Sequence, residues 1–425
     1  MPRPVLLRGR LVLLALRRRW KLLLCVVVVA VADVATHVGR FAIPRPSTNL
    51  DAPFHVGCQD PVLNASARAP AALIMLARNA DLDGALASVR NVQHQFNRHF
   101  AYPWVFLNDK PWSRDFVAAL GEAVAEDGGG AQASFETIPP DMWGYPDWVD
   151  PDRARESMRT MQSRGVKYAG DESYHHMCRF NSGFFYDHPA LSDYKWYWRV
   201  EPDISLTCAV TYDPFVEMER HGKRYGYTMA LREISATTPS LFGKLARYRA
   251  DEQMPASPLW TAMTAPSYLP WPLRRLRGWA GQSNLDARGD AWNLCHFWSN
   301  FEIADLDFFR SPAYRRLFAH LDADGGFYFE RWGDAPVHSL AVALLLPPRE
   351  VHHFADIGYV HDTLQYCTHG PTPAGLARGE LVPNMVGRRR DGGGFGPELG
   401  CRCNCDNGAK AIRPVCFNRL RRTVM

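Results

Sequence analysis

The stretch from Tyr194 to Ile204 reads as a strand of aromatic and β-branched residues that ends on two carboxylates around a proline, Glu201, Pro202 and Asp203. Such an ending sets oxygen ligands at a sheet edge, where a hard cation and a phosphate could meet. By itself an acid-x-acid pair is common in solvated turns, so the surrounding segments must decide. Glu302 lies among Trp298, Phe301, Phe308 and Phe309. A carboxylate in that company is costly without a partner, which points to a function or a buried ion pair. His361 brings an imidazole near the end of the fold, although a lone histidine is more often simply packed or surface-exposed. Asp334, before Ala335 and Pro336, would serve equally as the N-cap of the apolar helix running to Leu346.

The neighbouring blocks narrow these readings. MCRFNSGFFYDHP (177–189) followed by WYWRVEPD (196–203) resembles the fungal α-1,2-mannosyltransferase family, glycosyltransferase family 15. The resemblance returns at YPWVFLND (102–109), NLCHFWSNFEIADLDFFRS (293–311), GGFYFERWGDAPVHS (325–339) and IGYVH (357–361), in the family's order and over most of residues 70 to 370. It implies an α/β chain with a GT-A-like nucleotide-sugar transferase fold, its mostly parallel central sheet flanked by helices. It also implies transfer of α-1,2-linked mannose from GDP-mannose to mannosylated glycoprotein or glycolipid acceptors in the Golgi. The resemblance carries Mn²⁺ ligation over to Glu201 and His361, and the proposed nucleophile to Glu302 with Tyr174 as a hydroxyl assistant. Asp334 takes a place in the acceptor or donor sugar site. Arg78, Asn79 and Tyr145 are candidates for guanosine and ribose contacts, and Asp203 is a further substrate-binding candidate beside the metal ligand Glu201. Arg179 would pair with a phosphate or with Glu201. Trp143, Trp148, Trp298 and Trp332 offer rings for sugar stacking, though tryptophans at this density are mostly core.

Transfer from a nucleotide sugar makes two physical demands. The leaving diphosphate needs its charge neutralised, and the oxocarbenium-like centre needs negative charge on a suitable face. Glu201 and His361 address the first through Mn²⁺, which suits mixed oxygen and nitrogen donors; Glu302 addresses the second. An α-linked donor and α-linked products mean retention, by a covalent mannosyl-enzyme or by front-face attack. The alternatives are a mannosylphosphate transferase using the same donor and an inactive mannose-binding relative. The binding module has no need of Glu201, Glu302 and His361 together.

Elements that would position these residues follow from periodicity. AALIML (71–76) has the length of a buried strand, Leu82, Leu86, Val89, Val92 and Phe96 recur at helical spacing, and Tyr102 to Leu107 is the next strand, a βαβ unit with parallel strands. Ser113 caps a helix through Leu120, Phe135 to Ile138 is a third strand, and Asp150-Pro151 opens a helix to about Arg164. Further on come a helix at Pro214 to His221, a strand at Tyr225 to Leu231 and a helix from Thr238-Pro239 to about Arg249. This alternation puts ligands at the carboxyl ends of strands. Residues 251–290, rich in proline and aromatics with Arg274, Arg275 and Arg277, have no clean period and read as a surface excursion or lid.

Of a formal net charge of +5, the first 21 residues hold seven basic side chains and no acid, so five minus seven leaves −2 for the remainder, with nothing that asks for a nucleic-acid partner. Residues 22–38 form an apolar run marred by Asp33, whose central placement would cost about 3 kcal/mol. The charge order predicts residues 1–21 as a cytosolic tail, 22–38 as a signal-anchor span, 39–70 as a stem and 71–425 as a lumenal catalytic domain, a single-pass type II arrangement; a cleaved signal peptide shows the same order. Nine cysteines besides Cys25 suit an oxidising compartment, with one left over. Disulfides are expected at Cys401, Cys403 and Cys405 rather than zinc, whose cysteines are spaced more widely. Asn64 in Asn-Ala-Ser is a glycosylation acceptor by pattern.

Overall fold

The computed structural model describes residues 5–42, 53–59, 68–126, 129–279, 284–366, 399–405, 410–412 and 414–421. Asn64, Cys367 and much of the expected stem lie outside the described residues.

The fully apolar run Ala71–Leu76 is a central strand, covered on both faces as a continuous hydrophobic strand requires. It pairs in parallel with Trp104–Asn108 on one side and with Trp196–Arg199 on the other. Seven strands make the sheet, in the order Val351–His353, Tyr225–Tyr227, Glu302–Asp305, Trp196–Arg199, Ala71–Leu76, Trp104–Asn108, Ala133–Thr137. Six run one way and Glu302–Asp305 runs against its two neighbours, so the sheet is mostly parallel, as expected. Helix Leu82–Val92 makes the predicted crossover. Ser113 accepts from the Phe116 amide at the start of Arg114–Glu126, and Asp150 accepts from the amides of Asp152 and Arg153 ahead of Pro151–Ser163.

Two strands divide where one was predicted. The Tyr194–Ile204 strand is two: Trp196–Arg199 stays in the central sheet, and Ile204–Leu206 enters a second sheet by pairing antiparallel with Tyr359–His361. The break falls at Glu201 to Asp203, where Asp203 takes a left-handed φ of 61°, a conformation that aspartate tolerates better than most residues. Tyr225 to Leu231 divides likewise into Tyr225–Tyr227 and Ala230–Arg232, the latter pairing with Cys295–Phe297 outside the central sheet. Residues 251–290, expected as a surface excursion or lid, hold helices Pro258–Met263 and Trp271–Trp279 and a short strand, none of which lines the central cavity, so they form no lid over it.

Disulfides join Cys58 to Cys401, Cys208 to Cys403 and Cys295 to Cys416, and Cys405 is disulfide-bonded too, so the tail cysteines are oxidised as expected. Cys178 is buried and free. At the other end, one helix runs Val5–Gly39, and its Trp20–Gly39 portion of 20 residues is long and apolar enough to cross a bilayer. Asp33 is not an unpaired acid there. It accepts from Arg274 Nη1 at 2.6 Å and from the Trp271 amide at 2.8 Å.

Candidate active site

A cavity of about 690 Å³ opens over the carboxyl ends of Ala71–Leu76, Trp104–Asn108 and Trp196–Arg199, where an α/β sheet binds its ligands. Two strand registers assemble its chemistry. Antiparallel pairing sets Glu302 opposite Arg199, and pairing in the second sheet sets His361 opposite Ile204, just past the Glu201 turn. Alternation along Trp196–Arg199 does the rest. Trp198 turns away, its ring 5.0 Å from that of Phe96, while Tyr197 and Arg199 look into the cavity with Glu201.

Arg199 is the hub. Its Nη2 meets Glu201 Oε1 at 2.5 Å, and its Nη1 pairs with Asp334, which also accepts from Ser299 Oγ at 2.9 Å. The second Glu201 oxygen faces His361 Nε2 at 3.4 Å. Burial by itself would raise the Glu201 and Asp334 pKa values, but Arg199, with His361 for the first and His338 for the second, outweighs it and holds both carboxylates below their ordinary range. Reciprocally, burial disfavours the Arg199 charge, and Asp334 and Glu201 overcome it.

Glu302 is fully buried, with Tyr197 donating to Oε1 and His338 Nδ1 at 3.0 Å from Oε2. His338 Nε2 lies 2.9 Å from the Asn181 carbonyl, which can only accept, so Nε2 carries a proton and the Nδ1 contact to Glu302 needs one more. Burial opposes an imidazolium there, yet the Glu302 charge and hydrogen bond raise the His338 pKa above 6.5. A raised native pKa stabilises the fold fully below the unfolded value, and that stabilisation is lost as pH rises through the native value. Resistance to urea unfolding is therefore expected to fall from pH 6.5 upward. His338→Gln should flatten that slope; an unchanged slope in the variant would refute the pairing.

The helix Asp334–Leu345 brings both acid partners. Asp334 is not its N-cap, the capping position being Gly333 with no side-chain bond; Asp334 is its first residue and reaches Arg199. His338 follows four positions later on the same face. Tyr174 lines the cavity, and its hydroxyl accepts from Arg331 Nη1 at 3.1 Å while the guanidinium lies over its ring. Trp298 also lines it, edge-on to His361 at 5.2 Å. Arg78 lines the far side, its guanidinium on Asp81 at 2.9 Å.

Six predicted contacts lie elsewhere. Asn79 spends its carboxamide on the Pro111 carbonyl and the Ser113 amide, pinning one loop to another. Tyr145 packs against Tyr328 and His176, outside the cavity lining. Arg179 grips Asp322 with two hydrogen bonds of 2.7 and 2.8 Å, leaving neither a phosphate nor Glu201 as its partner. Asp203 turns its carboxylate over Gly84 in the first turn of Leu82–Val92, where the helix amide dipoles favour an anion. Trp332 is core, donating to Glu330 at 2.5 Å. Trp148 is exposed and also outside the cavity, whereas Trp143 lines it.

Arg199, His338, Tyr197 and Arg331 were missed. Two carried a signal: Arg199 is two residues before Glu201 on the same strand face, and His338 is one helical turn beyond Asp334.

Among the described residues no three His, Cys, Asp or Glu side chains gather as a complete metal-binding set. A divalent ion still fits. Glu201 and His361 present an oxygen and a nitrogen side by side, while His361 Nδ1 and both polar atoms of the Asn300 side chain are buried without a protein partner. Two protein ligands with phosphate oxygens and water completing the shell is a usual arrangement for a hard cation at a nucleotide.

Residues 47–374 match the family described as glycolipid 2-alpha-mannosyltransferase. The chain is 40% identical over 370 residues to O-glycoside alpha-1,2-mannosyltransferase homolog 4 of Schizosaccharomyces pombe, covering 83% of this chain and 77% of that one. It is 41% identical over 305 residues to alpha-1,2 mannosyltransferase KTR1 of Saccharomyces cerevisiae, covering 71% and 70%. Among solved structures it resembles core-mannan synthase A of Aspergillus fumigatus in its Mn/GDP form, with a TM-score of 0.67, 33% identity and coverage of 88% and 90%. It also resembles the S. cerevisiae mannosyltransferase Ktr4p in complex with GDP, with a TM-score of 0.68, 31% identity and coverage of 87% of each. On a match that spans the sheet, the cavity and both edges of the site, the chain belongs to the glycolipid 2-alpha-mannosyltransferase family of glycosyltransferases.

Proposed function

We propose that this cavity transfers mannose from GDP-mannose, with retention, to the 2-hydroxyl of a mannoside on protein or lipid. The observation that carries the reading is the convergence of Glu201, His361, Glu302 and Asp334 around Arg199 in one cavity. Glu201 and His361 would hold Mn²⁺, which when bound neutralises charge on the leaving diphosphate. Arg199 keeps Glu201 and Asp334 ionised and aimed into the site. Asp334 is an acceptor for sugar hydroxyls, Arg331 and Tyr174 supply donors, and Trp298 offers a stacking ring. Arg78, held by Asp81, stands where the nucleoside would lie.

Glu302 supports the positive charge that develops at the sugar carbon. Both of its oxygens are already engaged, by Tyr197 and His338, which favours front-face attack over a covalent mannosyl-enzyme. By position in the chain, Trp20–Gly39 would anchor the protein in the Golgi membrane with the catalytic domain in the lumen.

The test uses the full chain in detergent with GDP-mannose, Mn²⁺ and a short α-mannoside. GDP release and an α-1,2 linkage in the product are expected, with loss of both on chelation. His361→Ala should raise the Mn²⁺ concentration for half-maximal rate by about 10- to 100-fold. Release of mannosyl phosphate, or turnover indifferent to chelator, would overturn the proposal.

A further inference from the structure

The helix Trp271–Trp279 has an unusual surface for a protein exterior. Tyr268 just ahead of it is 74% exposed, Trp271 59%, Leu273 52% and Leu276 63%, so large apolar side chains face outward in a row. At about 100° per residue, Arg274 and Gly278 share one face, Pro272, Leu273 and Leu276 the opposite one, and Arg275 and Arg277 the two flanks. The inner face is firmly seated. Arg274 is 7% exposed, a Cβ on Gly278 would meet the Asp286 carbonyl at 2.8 Å, and one on Gly289 would meet the Arg274 carbonyl at 2.2 Å. The outer stripe is therefore held outward by the packing behind it.

What lies against that stripe follows from the anchor helix. Asp33 receives the Trp271 amide and both Arg274 terminal nitrogens, at 2.8, 2.6 and 3.1 Å, and four residues on His37 Nε2 meets the fully buried Asp290 at 2.7 Å. With Trp20 and Lys21 at the cytosolic boundary, a rise of 1.5 Å per residue carries Asp33 about 20 Å inward. The hydrocarbon layer is roughly 30 Å thick, so the start of Trp271–Trp279 is held within the lumenal side of the bilayer rather than above it.

We propose that Trp271–Trp279 is an interfacial helix: Trp271, Leu273 and Leu276 dip into the lumenal leaflet beside the anchor, Tyr268 lies nearer the headgroups, and Arg275 reaches a lipid phosphate from the flank. An apolar stripe flanked by cations is the pattern of helices that lie in the plane of a membrane. The domain is thereby pressed onto the surface, with Asp33 and Arg274 paired at the seam. This rests on reading Trp20–Gly39 as a membrane span.

The test places a nitroxide at Leu276→Cys in the full chain, in a Cys25→Ser background, reconstituted into phospholipid vesicles. Its collisions with oxygen and with a water-soluble nickel chelate are compared with labels at Val28→Cys on the anchor and Val117→Cys on the exposed surface of helix Arg114–Glu126. The expected result is an oxygen-favoured ratio at 276 that lies well above that of 117 and is shifted toward that of 28. A ratio at 276 matching 117, with 28 still lipid-like, overturns the proposal and leaves the span standing. A water-like ratio at both 28 and 276 refutes the span and the proposal together. Dipolar broadening at 276 that disappears on dilution with unlabelled protein would mean that a second copy, not lipid, covers the stripe, and would also overturn it.

Discussion

Glu302→Gln is expected to lower kcat for mannosyl transfer by about 10²- to 10³-fold, with KM for GDP-mannose changed far less. The substitution keeps volume and both hydrogen-bond positions: the carboxamide oxygen can still accept from Tyr197, and its NH₂ can donate to a neutral His338 Nδ1. What is lost is the carboxylate charge facing the sugar, together with the proton that it held on His338 Nδ1. Since that charge matters where positive charge develops on the sugar, the loss belongs in the chemical step rather than in donor binding. Steady-state GDP release, measured on variant and native chains matched by circular dichroism, checks it. A variant as fast as the native protein would remove Glu302 from the chemistry and leave it a buried partner of His338.

The second large effect concerns folding. Arg199→Met should destabilise the protein by about 3–5 kcal/mol, because it leaves two mostly buried carboxylates, Glu201 and Asp334, without the cation that holds them ionised. In urea the midpoint should fall with little change in slope. Adding Asp334→Asn should recover part of the loss, since one of the stranded charges is then gone, whereas Glu302→Gln, whose oxygens are satisfied by other groups, should recover less. Equal stability of the native and Arg199→Met chains would mean that this cluster is solvated well enough to dispense with its cation.

Separating the two experiments matters for interpretation. Arg199 sits between the acids that face the ligand, so its loss depresses activity through position and charge together. The glutamine at 302 leaves that network intact and tests the chemical step alone.

The amino-acid sequence by itself determined the strand and helix alternation, the apolar identity of Ala71–Leu76, the caps at Ser113 and Asp150, and the candidacy of Glu201, Glu302 and His361. The elements and caps are properties of local periodicity and capping chemistry, and Glu302 stands out as a charge in apolar company, whereas Glu201 and His361 became a pair only through the resemblance of their motifs to the family. Tertiary structure decided the partners. Arg179 and Asp203 looked like ligands because of their types and motif, yet Asp322 lies 143 positions from Arg179, and the left-handed backbone at Asp203 turns its carboxylate to a helix start instead of the cavity. Arg199 became the hub because an antiparallel register sets it against Glu302 and because the helix carrying Asp334 crosses that same sheet face. Such choices depend on which distant backbone comes within about 3 Å of a side chain, and a hydrogen bond or ion pair falls off too steeply with distance and angle for spacing along a chain to foretell it.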